Sequence, residues 1–281
     1  MRECGMLLPI ASLPSKYGIG CFSKEAYEFV DQLKEGGQSF WQILPLGPTG
    51  FGDSPYQAFS AFAGNPYFID LEQLVGEGLL TEDECEEADF GDDDRYIAYD
   101  KIYKARFKVL KKAYERWKKD HHQFLKSKLD PETREYCFYM AVKDHFKSAS
   151  WNKWDEDIRL RKTAAVEKYK KMLEVRWDFY EFQQFQFNEQ WSRLKPMPMK
   201  MVSRSLGISP SMWLLTGLTA GLIRSCSSLM RNVCQRQWPA AHRMHFQQQA
   251  SFGEIRCMIG DIIRRSLQLV DQAYGIQPEA V

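Results

Sequence analysis

Carboxylate, hydroxyl, amide and aromatic side chains crowd into one short stretch of this 281-residue chain. Asp53, Ser54, Tyr56 and Gln57 stand there with Phe51, Phe59 and Phe62, and Asn65 follows. Such a mixture suits a carbohydrate, because a sugar offers hydroxyls to polar groups and flat C–H faces to aromatic rings. A second reading stays open, in which the loop folds on itself and plugs one end of a barrel. Gly47, Pro48, Gly50, Gly52, Pro55 and Gly64 punctuate the connection with turn residues. Its aromatics are too many for a solvated linker.

The loop must be held by the elements around it. Phe40 to Leu44 is an apolar run bounded by Gly36 and Gly37 before and Pro45 after, which predicts a buried strand feeding the loop. Gly5 to Ile10 predicts a first strand. Ser23 predicts a helix cap, with Ala26, Phe29, Val30 and Leu33 on one face and Gly36-Gly37 as the stop. Strand, loop, capped helix, strand is the opening βαβ unit of an α/β barrel, whose sites lie on the loops after the strands.

The same residues carry a resemblance. Leu44-Pro45-Leu46-Gly47-Pro48-Thr49-Gly50, Gly52-Asp53-Ser54-Pro55-Tyr56-Gln57 and Phe59-Ser60-Ala61-Phe62-Ala63-Gly64-Asn65-Pro66 resemble, in order, the signature of the 4-α-glucanotransferases. These are the amylomaltases, or disproportionating enzymes, of the α-amylase clan. The resemblance runs over residues 1–195. It departs at Pro9-Ile10-Ala11-Ser12, where relatives have a His-Pro-Thr-Ser type of run, so that histidine has no counterpart here.

The resemblance implies a (β/α)8 TIM barrel with a helical insertion, present here in its N-terminal part, incomplete and followed by a non-native tail. It implies transfer of an α-1,4-glucan segment to the 4-hydroxyl of glucose or another glucan, with retention through a covalent glycosyl-enzyme. The partners implied are α-1,4-glucans, maltooligosaccharides and glucose, with no cofactor and no metal. Ser54 and Tyr56 match positions that touch the glucan near the cleavage point. Phe51 stands where relatives often have Tyr at an accessory contact, and Asp53, also counted among the substrate-binding candidates, is expected chiefly to hold the turn before Ser54. The family's nucleophile, an Asp in an Arg-Ile-Asp segment, falls beyond Val281, so no catalytic carboxylate is assigned. The alternatives are a non-catalytic glucan-binding fragment and a glucan hydrolase of the same clan.

The remaining segments read as helices. Thr81 followed by acids reads as a cap, and Asp92 to Asp94 reads as a solvated turn rather than a calcium loop. Tyr103, Phe107, Leu110, Tyr114 and Trp117 alternate at four and three residues, which predicts a core seam with lysines outside. Pro131 opens another helix, and Tyr180 to Leu194 forms a long aromatic one. His121, His122 and His145 have no ligand spacing, and Trp151-Asn152-Lys153-Trp154 resembles the Trp-rich turn that ends the family's insertion. The expected division is residues 1–72 for the first barrel unit and its loop, 73–176 for the insertion, 177–195 for the returning helix and 196–281 for the tail.

The net charge of +1 gives no reason to expect a nucleic-acid or membrane partner. Seven cysteines without metal-ligand spacing, and Met6-Leu7-Leu8 cut short by Pro9, point to reduced thiols in a cytoplasmic setting. The tail differs in kind. Residues 196–281 hold 1 Lys against 8 Arg, where residues 1–195 hold 20 Lys against 9 Arg. With one base borrowed from the preceding codon, Leu206 to Thr216 can be read as Ile-Gly-Asp-Ile-Pro-Ile-Tyr-Val-Ala-Phe-Asp, which resembles the family's next barrel strand. The same shift over Trp238 to Gly260 yields a second family-like string, and from about Gln268 the other shifted frame yields a third. Residues 196–281 are therefore expected to be a frame-shifted tail without its own fold, the rival being a small second domain or a partner-binding tail.

Overall fold

The computed structural model describes residues 4–50, 53–56, 58, 60, 62–93, 95–121 and 128–195. Strand β1 (Gly5–Leu7) runs parallel to β2 (Phe40–Gln42), with Gly5 opposite Phe40, Met6 opposite Trp41 and Leu7 opposite Gln42. Helix α1 (Lys24–Glu35) lies between them in sequence, so the βαβ unit is present. Both strands are shorter than the apolar runs that announce them. Pro9 has no N–H to continue the first ladder, and Ile10–Ser12 winds into a 3-10 turn. Burial is also less complete than expected. Trp41 is fully buried and its indole N–H donates to the Leu8 carbonyl at 2.8 Å, but Met6 and Leu7 are 46% and 56% exposed. Among the described residues the sheet has these two strands alone, so little packs over β1.

α1 buries Ala26, Val30 and Leu33, and Phe29 meets Trp41 with ring centroids 5.0 Å apart. Ser23 takes the capping backbone conformation, but its hydroxyl bonds the Glu25 carboxylate at 2.5 Å instead of a backbone N–H. After the loop come α2 (Leu71–Gly76) and α3 (Glu82–Glu86). Asp70 caps α2 through both carboxylate oxygens, and Thr81 with Glu84 closes a reciprocal capping box on α3. Helices α4 (Tyr99–His121), α5 (Pro131–His145), α6 (Glu156–Arg159), α7 (Thr163–Met172) and α8 (Glu174–Leu194) follow. Asp130 caps α5 by accepting from the Thr133 N–H at 2.8 Å, with Pro131 in the first helical position.

Helix α8 joins two apolar clusters. Phe182, Phe187 and Leu194 pack with α1, β2, α2 and α4, while Tyr180 packs with α5, α6 and α7. A helix covered on several sides cannot keep a charged stripe. Its buried polar positions are four glutamines, Gln183, Gln184, Gln186 and Gln190, and one acid, Glu181, which accepts from Arg134 at 2.9 Å. The α4 seam splits in a way its periodicity does not announce. Leu110, Tyr114 and Trp117 are core, but Tyr103 is 53% exposed and Phe107 only partly covered. The core face of the first two turns is carried instead by Ile102, Ala105 and the fully buried Arg106. No helix among the described residues is long and apolar enough to cross a membrane.

Candidate functional site

The loop after β2 is fixed at its base. Asn65 N–H donates to the Leu46 carbonyl at 2.8 Å, and Thr49 bridges Ala58 in an antiparallel pair. Asn65 then caps the Pro66–Phe68 3-10 turn by accepting from Tyr67 N–H at 3.0 Å. Helix α8 grips the end of the loop at Gly64 and the cap of α2 at Asp70. The Gln184 side chain bonds both the N–H and the carbonyl of Gly64, each at 2.8 Å. Gln190 does the same at Asp70, at 2.7 and 3.2 Å. Gly64 must be glycine for this approach, since a Cβ there would enter the Phe187 ring.

Beside the loop opens a cavity of about 680 Å³, within the usual range of roughly 300–1,000 Å³ for small-molecule sites. The loop contributes Pro48, Thr49, Gly50, Asp53 and Asn65 to Tyr67, helix α4 contributes Tyr99, Tyr103, Lys104 and Phe107, and α5 with α8 contributes Tyr136, Met140, Asp144 and Tyr180. Asp53 sits at φ 52°, a left-handed conformation that Asp tolerates better than most residues. Its carboxylate makes no hydrogen bond among the described residues, so the turn is held by its backbone, whose N–H donates to the Gly50 carbonyl at 3.3 Å. That differs from a side chain bracing the turn. Burial pushes the Asp53 carboxyl up, and burial followed by the nearby Asp53 charge pushes the phenols of Tyr67 and Tyr99 up.

A second carboxylate faces the cavity from α5. Asp144 accepts from the Tyr180 phenol at 2.7 Å. Burial raises its pKa, against the Tyr180 hydrogen bond and the Arg176 and Lys143 charges. Tyr103, Tyr136 and Tyr180 are raised by burial first and by the field of Asp144 as well, so their phenols stay protonated donors. Lys143 donates to the Ser148 and Ala149 carbonyls at 3.1 and 3.4 Å, and burial lowers its pKa. Thr49 Oγ1 and Ser150 Oγ are buried in the lining with no hydrogen-bond partner among the described residues. Phenols, three carboxylates (Asp53, Asp100 and Asp144), two lysines (Lys104 and Lys143) and aromatic faces line one cleft.

The four residues singled out in the sequence separate here. Asp53 lines the cavity. Ser54 and Tyr56 continue along the loop outside that lining, with Ser54 Oγ accepting from Tyr56 N–H at 3.4 Å and the Tyr56 side chain 42% exposed. Phe51 lies outside the described residues, as do Gln57, His122 and the whole of residues 196–281. Tyr99, Tyr103, Tyr136, Asp144 and Tyr180 were not picked out by sequence. A usable signal exists for two of them: Tyr99, Tyr103 and Phe107 recur at a strict spacing of four, which drifts off a core stripe of period 3.6.

A parallel βαβ unit whose second strand feeds a braced loop beside a cleft is an α/β layout with its candidate site after the strand end. A family model described as 4-alpha-glucanotransferase matches residues 8–201. The chain belongs to the 4-alpha-glucanotransferase family. It is 48% identical over 205 residues to a 4-alpha-glucanotransferase of Clostridium butyricum, a match covering 72% of this chain and 42% of that one. It is 46% identical over 199 residues to one from Streptococcus pneumoniae, covering 69% and 39%. Its structure is similar to that of amylomaltase from Streptococcus agalactiae in complex with acarbose, with a TM-score of 0.68 and 39% identity over 70% of this chain and 41% of the other. The matched part thus spans about two fifths of the length of these relatives.

Proposed function

We propose that this chain supplies the N-terminal, glucan-binding part of a 4-α-glucanotransferase, and that its ligand is an α-1,4-glucan or maltooligosaccharide. The observation that carries the reading is the tyrosine-walled cleft beside the Gly50–Gly64 loop, with Asp53, Asp100 and Asp144 in its lining. A glucan lies across such a surface with its sugar faces on Tyr99, Tyr103 and Phe107 and its hydroxyls on the carboxylates and phenols. Ser54 and Tyr56, farther along the loop, contact the glucan toward the point of cleavage, and Phe51 provides an apolar face in place of a tyrosine.

The reaction of the complete enzyme is glucan transfer with retention, which needs a nucleophile and an acid/base about 5 Å apart. No residue of 1–195 is assigned to either role, and residues 196–281 read as family sequence only in shifted frames. The chain as written therefore binds glucan without transferring it. The exposed Met6 and Leu7 on β1 support the reading of an incomplete barrel, because an inner barrel strand is covered on both faces. Residues 1–72, 73–176 and 177–195 are its first barrel unit, insertion and returning helix, working in the cytoplasm. Calorimetric titration of the 281-residue chain with maltoheptaose tests the reading: saturable binding is expected, and a flat titration at millimolar sugar would refute it.

A further inference from the structure

We propose that Asp144, oriented by Tyr180, is a hydroxyl-reading subsite on the α5–α8 wall of the cleft, accepting hydrogen bonds from one glucose unit of a bound maltooligosaccharide. The inference rests on the glucan-binding reading above and assigns it a side chain that no motif of the loop contains.

Tyr180 is 4% exposed and spends its phenol hydrogen on Asp144 Oδ2. That bond fixes the carboxylate. Asp144 itself remains open to the cleft, and its second oxygen has no partner among the described residues. A carboxylate has about four acceptor positions, of which the phenol uses one. Two further phenols, of Tyr103 and Tyr136, lie within its field, and Ser150 Oγ in the same lining lacks a partner. Tyr103 and Phe107, with centroids 5.1 Å apart, offer an aromatic face on α4.

A fixed, half-satisfied carboxylate beside an aromatic face takes a neutral ligand with adjacent O–H donors. A pyranose has that pattern. An apolar ligand leaves the free oxygen of Asp144 and the Ser150 hydroxyl unpaired.

Maltoheptaose titrations of the full 281-residue chain as wild type, Asp144→Asn, Asp144→Glu and Tyr180→Phe test this. Loss of a hydrogen bond to a charged acceptor should weaken binding about tenfold or more in Asp144→Asn. Tyr180→Phe, which frees the carboxylate to rotate, should weaken it by a smaller factor. If Asp144→Asn also lowers the melting temperature, Asp144→Glu decides: affinity nearer wild type upholds the role of charge, and affinity as poor as Asp144→Asn overturns it. Wild-type binding that Asp144→Asn matches within about twofold overturns the subsite while leaving the glucan reading intact. Absence of wild-type binding overturns both.

Discussion

The side-chain amide of Gln184 and the backbone of Gly64 form a closed two-bond pair, 2.8 Å in each direction, between helix α8 and the loop after β2. An amide side chain here copies a strand partner, offering one donor and one acceptor to the carbonyl and N–H of a single residue. It is placed 120 residues away in sequence from the peptide it satisfies. The helix therefore sets where the loop ends, and the loop sets one wall of the cleft.

Gln184→Leu should destabilise the protein by about 2–4 kcal/mol, because it strands both the N–H and the carbonyl of Gly64 in the interior. Urea unfolding followed by circular dichroism measures the loss. A loss below about 1 kcal/mol would mean that water replaces the amide.

Gly64→Ala should be costly for a different reason, since its Cβ would overlap the Phe187 ring. A loss of about 1–3 kcal/mol is expected from overpacking. Combining it with Phe187→Leu should recover part of the loss, a non-additivity that marks direct contact. Strict additivity of the two changes would place the strain elsewhere.

The divided seam of α4 gives a paired test. Tyr114 is 4% exposed in the core, and Tyr114→Ala should cost about 3–5 kcal/mol in stability with little specific effect on sugar binding by the folded protein. Tyr103, open to the cleft, should behave in the opposite way. Tyr103→Ala should change stability by under about 1 kcal/mol and weaken maltoheptaose binding severalfold. Equal stability losses in the two variants would return Tyr103 to the core.

Much of this division was beyond the sequence. The βαβ opening was legible because Gly, Pro and a Ser cap bracket short apolar runs, and the loop was legible because its aromatics and turn residues are dense. The seam over Tyr103 to Trp117 was not, because periodicity reports which side chains share a face but not what covers that face. Along α4 the cover changes from packed core to open cleft within two turns. Asp144 was invisible for a related reason. It stands between Lys143 and His145 like any solvated acid, and only Tyr180 from another helix distinguishes it. Two of the buried glutamines of α8, Gln184 and Gln190, look like a polar surface until their partners, Gly64 and Asp70, are brought to them.

The Glu84–Arg116 pair should give an acid limb to the stability profile. Arg116 bonds both carboxylate oxygens of Glu84, at 2.6 and 2.8 Å, which chiefly holds the carboxyl down from 4.5 to about 2. A depressed folded pKa stabilises above the unfolded value and the benefit disappears as pH falls through the folded one. Glu84→Gln should therefore be less stable than wild type at pH 6. The gap should narrow from about pH 4.5 downward and close near pH 2. Arg116 is 38% exposed, so water screens the pair and the gap should be about 1 kcal/mol. A gap that is constant between pH 6 and pH 3 would assign the effect to the capping box instead.

The most direct measurement of the account sets the purified 281-residue chain beside the product of a gene resequenced and restored to one frame across codons 190 to 281, each incubated with maltotriose. Both should bind the sugar, while glucose together with longer oligosaccharides should form only with the frame-restored enzyme, whose Tyr56→Ala variant should lose roughly tenfold to a hundredfold in kcat/KM. Transfer products formed by the short chain at a rate proportional to its concentration would contradict the reading that it binds glucan without turnover.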